Sequence, residues 1–512
     1  MGLKKKEKGN FARNIVKNLF FGGLTGVIAK IGALIFTVLI ARNFLPELFG
    51  VYSLALTIVL SLFIISDLGL GNTLVRYLAE SIGKKDKKQA RSRFWFLLKS
   101  KALLSLIVAL FLFFGAGLIS SFFGKPELIL LLKIGSIYLF ASAFYQLTIN
   151  VFFSFQKMEY STILELIFQT SRVVLLFVVF SFFKSIESIF VVLTLSVIPA
   201  LIFSTGILIK KYPFLLKGKK EVVERRRMLK FSGFMALSSF TVLIFTNIDK
   251  LVLGYFLTSE FIGFYTAILT VIGGVLGFMG VTSILFPIFT QLKGERLKKA
   301  FKQSFHYISI LIFPVVIGLA FIILPLLKVL YGSEYVPQQY EFSLLLTSIF
   351  LSLILLETTF SALYTHLLNA KEKPRISAFI NLTTSIANII LSIIFVYYLI
   401  KINPSYGLIG VSAATFISRY SGMFVMVFLS KKKIGIAPRK DSIFKPLFAS
   451  LIMLAYLFVF NYFIPLNIFT GLIMIFSAAI IYFSIIFLLK AITISEVKRM
   501  FRMIGNNDKV ID

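Results

Sequence analysis

Ionisable side chains stand in the middle of several long apolar runs of this chain. Each would cost about 2.5 to 3.5 kcal/mol in hydrocarbon unless water or a partner meets it, so each marks a candidate functional position. Glu165 and Arg172 share one predicted helix and are seven residues apart, about 20° short of two full turns. Gln169 lies on the same stripe. The spacing predicts that all three side chains point to one side.

Four more predicted helices carry ionisable or amide groups at mid-depth. These positions are Lys30 on the first helix, Asn247, Asp249 and Lys250 on the seventh, Glu357 on the tenth and Arg419 on the twelfth. Because the basic members of the whole set outnumber the acidic ones, we predict a hydrated, cationic cavity. Such a cavity would attract a phosphate or diphosphate, to which Arg donates paired hydrogen bonds. Asp249, Glu357 and Glu165 are the candidates for coupling to an ion.

Two amides of the eleventh predicted helix, Asn381 and Asn388, add groups that can hydrogen-bond to sugar hydroxyls. An alternative interpretation is that the charged groups pair between helices and only fix their packing, for instance Asp249 with a neighbouring Lys or Arg. Polar stripes also hold membrane helices together. The pattern leaves both interpretations open.

The composition of the chain requires a membrane. Its 512 residues are 58% hydrophobic and 15% charged, with a mean hydropathy of +0.92. A soluble core of this length could not enclose so much apolar side chain, so we predict an all-α polytopic membrane protein. About 20 apolar residues cross roughly 30 Å of hydrocarbon, and such runs occur fourteen times. The predicted spans are 18–41, 48–69, 97–121, 128–155, 162–183, 187–209, 232–257, 261–288, 305–330, 341–367, 376–400, 407–430, 445–464 and 467–490. The basic stretch before the first span has no small-residue cleavage site, so we expect a retained first helix.

The formal net charge of +32 lies mainly in short connections between the spans. Lys and Arg cluster after the second, sixth, eighth, tenth and twelfth spans, whereas acids such as Glu47, Glu127 and Glu260 stand near the opposite ends. The positive-inside rule therefore places these loops and both termini in the cytoplasm. This topology signal, helped by anionic lipid headgroups, explains the charge without nucleic acid, for which no soluble basic domain exists.

One phrase of the sequence occurs twice. The stretch from Phe44 to Tyr52 returns, with one residue inserted, from Phe256 to Tyr265, and later landmarks repeat at a similar offset of six helices. An even number of helices gives two halves of the same orientation, as in transporters whose lobes rock about a shared cavity. We predict an N-terminal lobe at 1–215, a C-terminal lobe at 216–435, and two further helices with a cytoplasmic tail at 436–512. Chance similarity between apolar segments is the alternative.

Residue types that support catalysis are scarce. The chain has no cysteine and two histidines, His306 and His366, both near predicted helix ends. The sequence contains no metal-ligand cluster, no Gly-rich nucleotide loop and no nucleophile with a base, so we predict neither catalytic residues nor a metal or cofactor. A membrane glycosyltransferase is the alternative of another class, although those enzymes usually need acidic loop motifs.

Short motifs distributed over nearly the whole chain resemble one transporter family. They are Leu45-Pro46-Glu47 with Gly50-Val51-Tyr52, Asp67-Leu68-Gly69 with Arg76-Tyr77, Asn247-Ile248-Asp249-Lys250 with Gly254, Leu330-Tyr331-Gly332 with Glu334-Tyr335, Asn369-Ala370-Lys371, and Tyr406-Gly407 with Gly410. Their order and spacing resemble polysaccharide or O-antigen type flippases of the multidrug, oligosaccharidyl-lipid and polysaccharide exporter superfamily.

The resemblance implies a fourteen-helix, two-lobed transporter of a prokaryotic plasma membrane. It would move a polyprenyl-diphosphate-linked oligosaccharide or repeat unit to the outer leaflet by alternating access, while the lipid tail stays in the bilayer. Similar proteins are sometimes coupled to H+ or Na+, and several depend on cationic cavity residues. Lys30, Arg172, Lys250 and Arg419 match that role by position. A cation-coupled multidrug exporter and a lipid II flippase of the same superfamily are the alternatives.

Overall fold

A computed structural model describes residues 2–217, 221–278, 285–465, 467–493 and 496. In these ranges the chain is predominantly helical and contains no strand. The helices, in chain order, are α1 (Gly2–Ala41), α2 (Pro46–Asp67), α3 (Leu70–Gly83), α4 (Lys87–Phe123), α5 (Leu128–Ser154), α6 (Met158–Phe182), α7 (Ile186–Lys211), α8 (Pro213–Leu216), α9 (Arg225–Phe256), α10 (Ser259–Phe278), α11 (Leu285–Gln291), α12 (Gly294–Tyr331), α13 (Glu341–Ala370), α14 (Pro374–Leu399), α15 (Tyr406–Ile434), α16 (Asp441–Phe463) and α17 (Ile468–Leu488). Two 3-10 turns, Ser333–Tyr335 and Gln338–Tyr340, join α12 to α13.

Thirteen of the fourteen predicted spans each lie mainly within one helix. Within the described residues, twelve helices are long and apolar enough to cross a membrane, and the apolar stretch Ser259–Val275 of α10 is shorter. The seventh predicted span lies in α9. The eighth lies in α10 and α11, and its residues 279–284 are outside the described ranges. The prediction of an all-α polytopic membrane protein with about fourteen spanning helices is thereby confirmed.

Helix α3 is not one of the predicted spans. Leucines four residues apart are buried along one of its faces, as in an amphipathic helix. Leu68 and Gly69 separate it from α2, and both have positive φ angles, 39° and 74°. A Cβ at Gly69 would lie 2.6 Å from the carbonyl oxygen of Ser232 on α9. Glycine therefore permits both the left-handed turn and the close approach of α9.

Polar caps fix where some of the helices begin. The Asp86 side chain accepts a hydrogen bond of 2.9 Å from the backbone N–H of Gln89, and α4 consequently starts ten residues before the span predicted at 97–121. Asn467 and Thr470 form a capping box at the start of α17. The basic segment after Asp86 thus forms a helical extension, because Lys, Arg and Gln are good helix formers.

The two copies of the repeated phrase pack against each other at the starts of α2 and α10. A Cβ at Gly50 would lie 1.7 Å from the carbonyl oxygen of Ser259, and one at Gly263 would lie 2.2 Å from that of Pro46. Gly50 and Gly263 are equivalent in the repeat, as are Pro46 and Ser259. Small residues allow membrane helices to approach this closely. The contact is therefore reciprocal, as expected of a duplicated element.

A lysine holds the end of α9 next to this contact. The Lys125 amine, between α4 and α5, donates to the carbonyl oxygens of Gly254 at 2.7 Å and of Leu257 at 2.9 Å. These carbonyls end a helix, where a cation is favourable. Burial lowers the pKa of the Lys125 amine below its usual range, and the nearby Glu127 carboxylate opposes that shift.

The chain forms two compact units. The first comprises Met1–Val281 with Ser385–Ala414, and the second comprises Thr282–Thr384 with Thr415–Asp512. In the second unit, α16 and α17 pack on α12 through an apolar core, where the Tyr482 hydroxyl donates to the Ile310 carbonyl at 2.7 Å. The lobe boundaries predicted near residues 215 and 435 stay a prediction.

Candidate functional site

The polar stripe predicted on α6 is buried. Glu165, Gln169 and Arg172 have exposed fractions of only 8%, 7% and 9%. The Gln169 amide donates to one oxygen of the Glu165 carboxylate at 2.7 Å, as the four-residue spacing allows. The Tyr145 hydroxyl on α5 donates to the other oxygen at 2.8 Å. Both oxygens of Glu165 are thus held by neutral donors. We call Glu165, Gln169, Arg172 and Tyr145 the α6 cluster.

Arg172 differs from its neighbours in the α6 cluster. Its guanidinium lies over the rings of Phe36, 4.3 Å from the centroid, and Phe168, at 5.5 Å. In the part of the chain that the structure describes, Nε and Nη2 have no hydrogen-bond partner, and no carboxylate lies within 4.0 Å of the group. Tyr52 and Tyr138 are also close to the guanidinium. A buried cation with unused donors is costly and calls for an explanation.

A cavity of about 170 Å³ opens beside the α6 cluster. Tyr138, Tyr145 and Phe168 line it together with Ser142 and Gln146. The oxygen of the Gln169 amide also lacks a hydrogen-bond partner within the described ranges. Tyr145 is the member of the α6 cluster that lines this space. The Arg172 guanidinium lies 5.5 Å from the ring of Phe168 in the cavity wall, and Gln169 shares the Glu165 carboxylate with Tyr145, so the unused polar atoms lie behind an aromatic wall.

Helix α1 approaches the same cluster through a glycine. A Cβ at Gly32 would lie 2.5 Å from the Gln169 amide oxygen, so any larger residue would displace that side chain. Lys30, two residues before Gly32, is exposed. It lies one helical turn before Leu34, whose side chain contacts α10 near Gly274, so Lys30 is on the side of α1 that faces α10. Lys30 is therefore not part of the α6 cluster, and its role in a cavity stays a prediction.

The polar group on α9 also lies in the first unit. Asn247 and Asp249 are buried, and the Tyr265 hydroxyl of α10 donates to the Asp249 carboxylate. Lys250 is half-buried. Tyr265 is the last residue of the second copy of the repeated phrase. The repeat therefore supplies a hydrogen-bond donor to Asp249, one of the carboxylates predicted for ion coupling.

The second unit contains a direct ion pair between α13 and α15. The Arg419 guanidinium lies 3.6 Å from the Glu357 carboxylate and donates to the Thr358 hydroxyl at 3.1 Å. The Ser361 hydroxyl also donates to Glu357. The side chains of Arg419 and Glu357 are 19% and 7% exposed. The structure therefore brings together two residues that the sequence placed only on separate helices.

The amides predicted on the eleventh span lie in α14, one in each unit. Asn388, in the first, is fully buried and accepts a hydrogen bond of 2.8 Å from the Ser392 hydroxyl. Asn381, in the second, is half-buried. In this conformation Asn388 contributes to helix packing, and Asn381 is the more accessible amide.

Comparison with known proteins decides the family. Residues 15–293, more than half of the chain, match the polysaccharide biosynthesis protein family. The chain belongs to this family. An uncharacterized membrane protein of Methanocaldococcus jannaschii is 22% identical to it over 409 residues, which cover 75% of this chain and 77% of that one.

Solved structures share the fold of this polysaccharide biosynthesis family protein. The lipid II flippase MurJ in an inward closed conformation matches with a TM-score of 0.71 at 18% identity, covering 91% of this chain and 98% of that one. An inward-facing multidrug resistance MATE family transporter of the MOP superfamily matches with a TM-score of 0.60 at 16% identity, covering 82% and 94%. The family match confirms the predicted resemblance to the polysaccharide-type family, and these structures show that the chain has the fold found in lipid II flippase and MATE structures. With its candidate spans, the chain is a multi-pass membrane protein.

Sequence reasoning missed one buried ion pair of this family member. The Lys101 amine on α4 lies 2.6 Å from the Asp67 carboxylate at the end of α2, and Lys101 is only 3% exposed. A Cβ at Gly71 would lie 2.5 Å from the Asn150 amide nitrogen and 3.4 Å from Asp67, so the pair and Asn150 are tightly packed in a pocket whose other walls are mainly leucines. The available signal was Lys101 itself, a lysine inside the span predicted at 97–121.

Metal ligation has no support among the residues that the structure describes. No group of three or more His, Asp or Glu side chains lies close enough together to hold an ion. His306 contacts Ser442 and the Ala491 carbonyl.

Proposed function

We propose that this transporter is a flippase for a polyprenyl-diphosphate-linked oligosaccharide or polysaccharide repeat unit. It would move this lipid from the cytoplasmic to the outer leaflet of a prokaryotic plasma membrane, with both termini in the cytoplasm, and would catalyse no covalent reaction. The observation that carries the proposal is Arg172, a buried guanidinium with two unused donor nitrogens that packs on Phe168, a residue in the wall of a cavity.

A diphosphate would supply what Arg172 lacks. Its oxygens accept the paired hydrogen bonds that a planar guanidinium donates, and such charge-assisted bonds are about twice as strong as neutral ones. The free oxygen of Gln169 and the aromatic wall that includes Tyr145 can then meet the hydroxyls and apolar faces of the sugar. The α6 cluster thus combines the two kinds of contact that this substrate class requires.

The remaining predicted residues extend this proposal. Lys30, Lys250 and Arg419 would add positive charge along the substrate path, and Asn247, Asn381 and Asn388 would add hydrogen bonds. The path would lie in two six-helix lobes, 1–215 and 216–435, with 436–512 as an appendage. Membrane lipids are the surrounding partner, and the glycan-bearing lipid is the cargo.

The membrane potential can drive the proposed transport. With the inside negative, outward movement of one negative charge is favoured by about 2.3 kcal/mol per 100 mV. A diphosphate headgroup gains from this field directly, so coupling to H+ or Na+ is not required for net flux. If coupling occurs, Asp249, Glu357 and Glu165 are the carboxylates that we propose for it.

The test is lipid translocation in proteoliposomes. We expect Arg172→Gln to lower the rate at which a fluorescent polyprenyl-diphosphate oligosaccharide crosses the bilayer by at least tenfold, because glutamine cannot neutralise the diphosphate. A matched control is Arg226→Gln, since Arg226 is an exposed arginine at the start of α9 outside the cluster. The rate is read from the fraction of label that a membrane-impermeant quencher reaches with time.

Three outcomes would contradict the proposal. The first is full transport by Arg172→Gln and by the Lys30→Gln/Arg172→Gln double variant, a result that would show that transport needs no cationic substrate site. The second is transport of cationic dyes instead of the anionic lipid, which would favour a multidrug exporter. The third is transfer of the glycan to an acceptor by purified protein in detergent, which would establish a glycosyltransferase.

A further inference from the structure

A second open space lies far along the chain from the α6 cluster. In the second unit, a cavity of about 450 Å³ is formed by the first turns of α12, the start of α16 and residues 490, 491, 493 and 496, which we call the segment after α17. Six basic side chains line it, against three acidic ones. The basic residues are Lys298, Lys299, Lys302, Arg439, Lys445 and Lys490. We call this space the basic cavity.

His306 joins the three walls of the basic cavity. Its Nε2 lies 2.7 Å from the Ala491 carbonyl oxygen after α17, and its Nδ1 lies 3.2 Å from the Ser442 hydroxyl on α16. A carbonyl oxygen can only accept, so Nε2 carries the hydrogen, and in the neutral ring Nδ1 accepts from Ser442. The cavity is therefore a built site with fixed walls.

The positive charge of the basic cavity is only partly neutralised. Glu295 is bound to Lys298 at 2.6 Å, and Glu496 accepts from the amide and hydroxyl of Thr493 at 2.9 and 3.0 Å. Within the described ranges, no carboxylate lies within 4.0 Å of the other five basic side chains. Lys302 and Lys445 are half-buried, so their charges lie close to protein of low dielectric.

The location of the basic cavity identifies a class of ligand. Lys445 lies one turn into the spanning helix α16, and Lys490 follows the last turn of α17, so the cavity is at the edge of the hydrocarbon. The N-terminal ends of α12 and α16 add positive dipole ends to its walls. Lysines at a membrane border attract anionic lipid headgroups, and a soluble phosphate compound presents the same chemistry.

We propose that the basic cavity binds a phosphate-bearing anion, supplied by a lipid headgroup or by a soluble phosphate compound, which bridges α12, α16 and the segment after α17. The site is separate from the substrate site proposed above. Because the bridge holds the last two helices to α12, occupancy should stabilise the folded protein by mass action.

The experiment uses the full chain in detergent with two probes, inorganic pyrophosphate and a short-chain phosphatidic acid. The test variant is Lys299→Gln/Lys302→Gln/Lys445→Gln. The matched control is Lys431→Gln/Lys432→Gln/Lys433→Gln, which removes three exposed lysines at the end of α15 outside the cavity. Binding is measured by titration calorimetry for pyrophosphate and by native mass spectrometry for the lipid.

We expect at least tenfold weaker binding in the cavity variant and unchanged binding in the control. If both probes behave this way, phosphate chemistry alone defines the site. If the cavity variant loses binding of the lipid but not of pyrophosphate, the ligand is a lipid headgroup. If it loses binding of pyrophosphate but not of the lipid, the ligand is a soluble phosphate compound. The proposal is overturned if the wild type binds neither probe or if the cavity variant binds both unchanged. If the triple variant fails to fold, the single variant Lys490→Gln replaces it, since Lys490 is an exposed residue of the cavity. Its affinity for the probes must then be lower than that of the wild type, by less than tenfold.

Discussion

Arg172 in the first unit and Arg419 in the second are both arginines within spanning helices, but their surroundings are opposite. Arg419 lies 3.6 Å from the Glu357 carboxylate and donates to Thr358. Arg172 lies over two aromatic rings, and among the described residues no carboxylate is within 4.0 Å of it. Glu165, on the same helix, is held by Tyr145 and Gln169 instead.

The difference separates two uses of a buried charge. A paired arginine has its charge largely neutralised within the protein, so its main effect is to hold α13 and α15 together. An unpaired arginine keeps its charge and its donors for a ligand. The two arginines therefore differ in what they can bind, although both lie within spanning helices.

The largest expected loss of stability comes from breaking the Arg419 pair. Glu357→Leu leaves the Arg419 guanidinium, whose side chain is 19% exposed, without its carboxylate. Because this group is only partly buried, we expect a loss of about 3 kcal/mol, the low end of the range for breaking a buried ion pair. Arg172→Leu removes no ion pair and should change the free energy of unfolding by less than about 1 kcal/mol. Thermal unfolding of the purified variants in detergent measures both values.

The Glu357→Leu/Arg419→Leu double variant is the control for this prediction. It removes both charges and should recover most of the lost stability, because apolar residues often replace buried ion pairs without cost. Equal losses in Glu357→Leu and Arg172→Leu would mean that Arg172 also supports the fold, and the distinction between the two arginines would then be lost.

A loss of about 2 kcal/mol is expected at each glycine of the reciprocal contact. Gly50→Ala and Gly263→Ala both place a Cβ within 2.2 Å of a carbonyl oxygen, so the helices must move apart. Because the contact is reciprocal, the two losses should be similar. Gly206→Ala is the matched control, since a Cβ there meets nothing within 4 Å on α7 and should stabilise the helix slightly. A loss at only one of the two glycines would contradict equivalent packing.

Much of the fold could be predicted from the sequence, because hydropathy marks every span in hydrocarbon. Helix α4 spans Lys87–Phe123 and is therefore longer than the apolar stretch predicted at 97–121. A hydropathy window detects only the apolar part of a helix, whereas Asp86 and the basic residues after it continue the helix into water. Helix α3 was missed for the same reason, since its apolar residues occupy one face only.

The sequence predicts which site residues share a face of one helix, but it does not predict which residues of different helices come into contact. The spacing of Glu165, Gln169 and Arg172 fixes their common face, and the structure has them together. The contact of Tyr145 with Glu165 and the pair of Lys101 with Asp67 depend on the rotation and depth of neighbouring helices. A single sequence carries no direct signal for either quantity.

The smallest expected effect compares single hydroxyl donors on the two carboxylates. Tyr145→Phe removes one of two donors from Glu165, which has no cation within 4.0 Å among the described residues, so the loss should be about 1.5 kcal/mol. Ser361→Ala removes a donor from Glu357, which keeps Arg419, so the loss should be only about 0.5 kcal/mol. Both variants are read by the same thermal unfolding measurement. A larger loss at Ser361 than at Tyr145 would show that the ion pair does not satisfy Glu357, and the second unit would then resemble the first in depending on neutral donors.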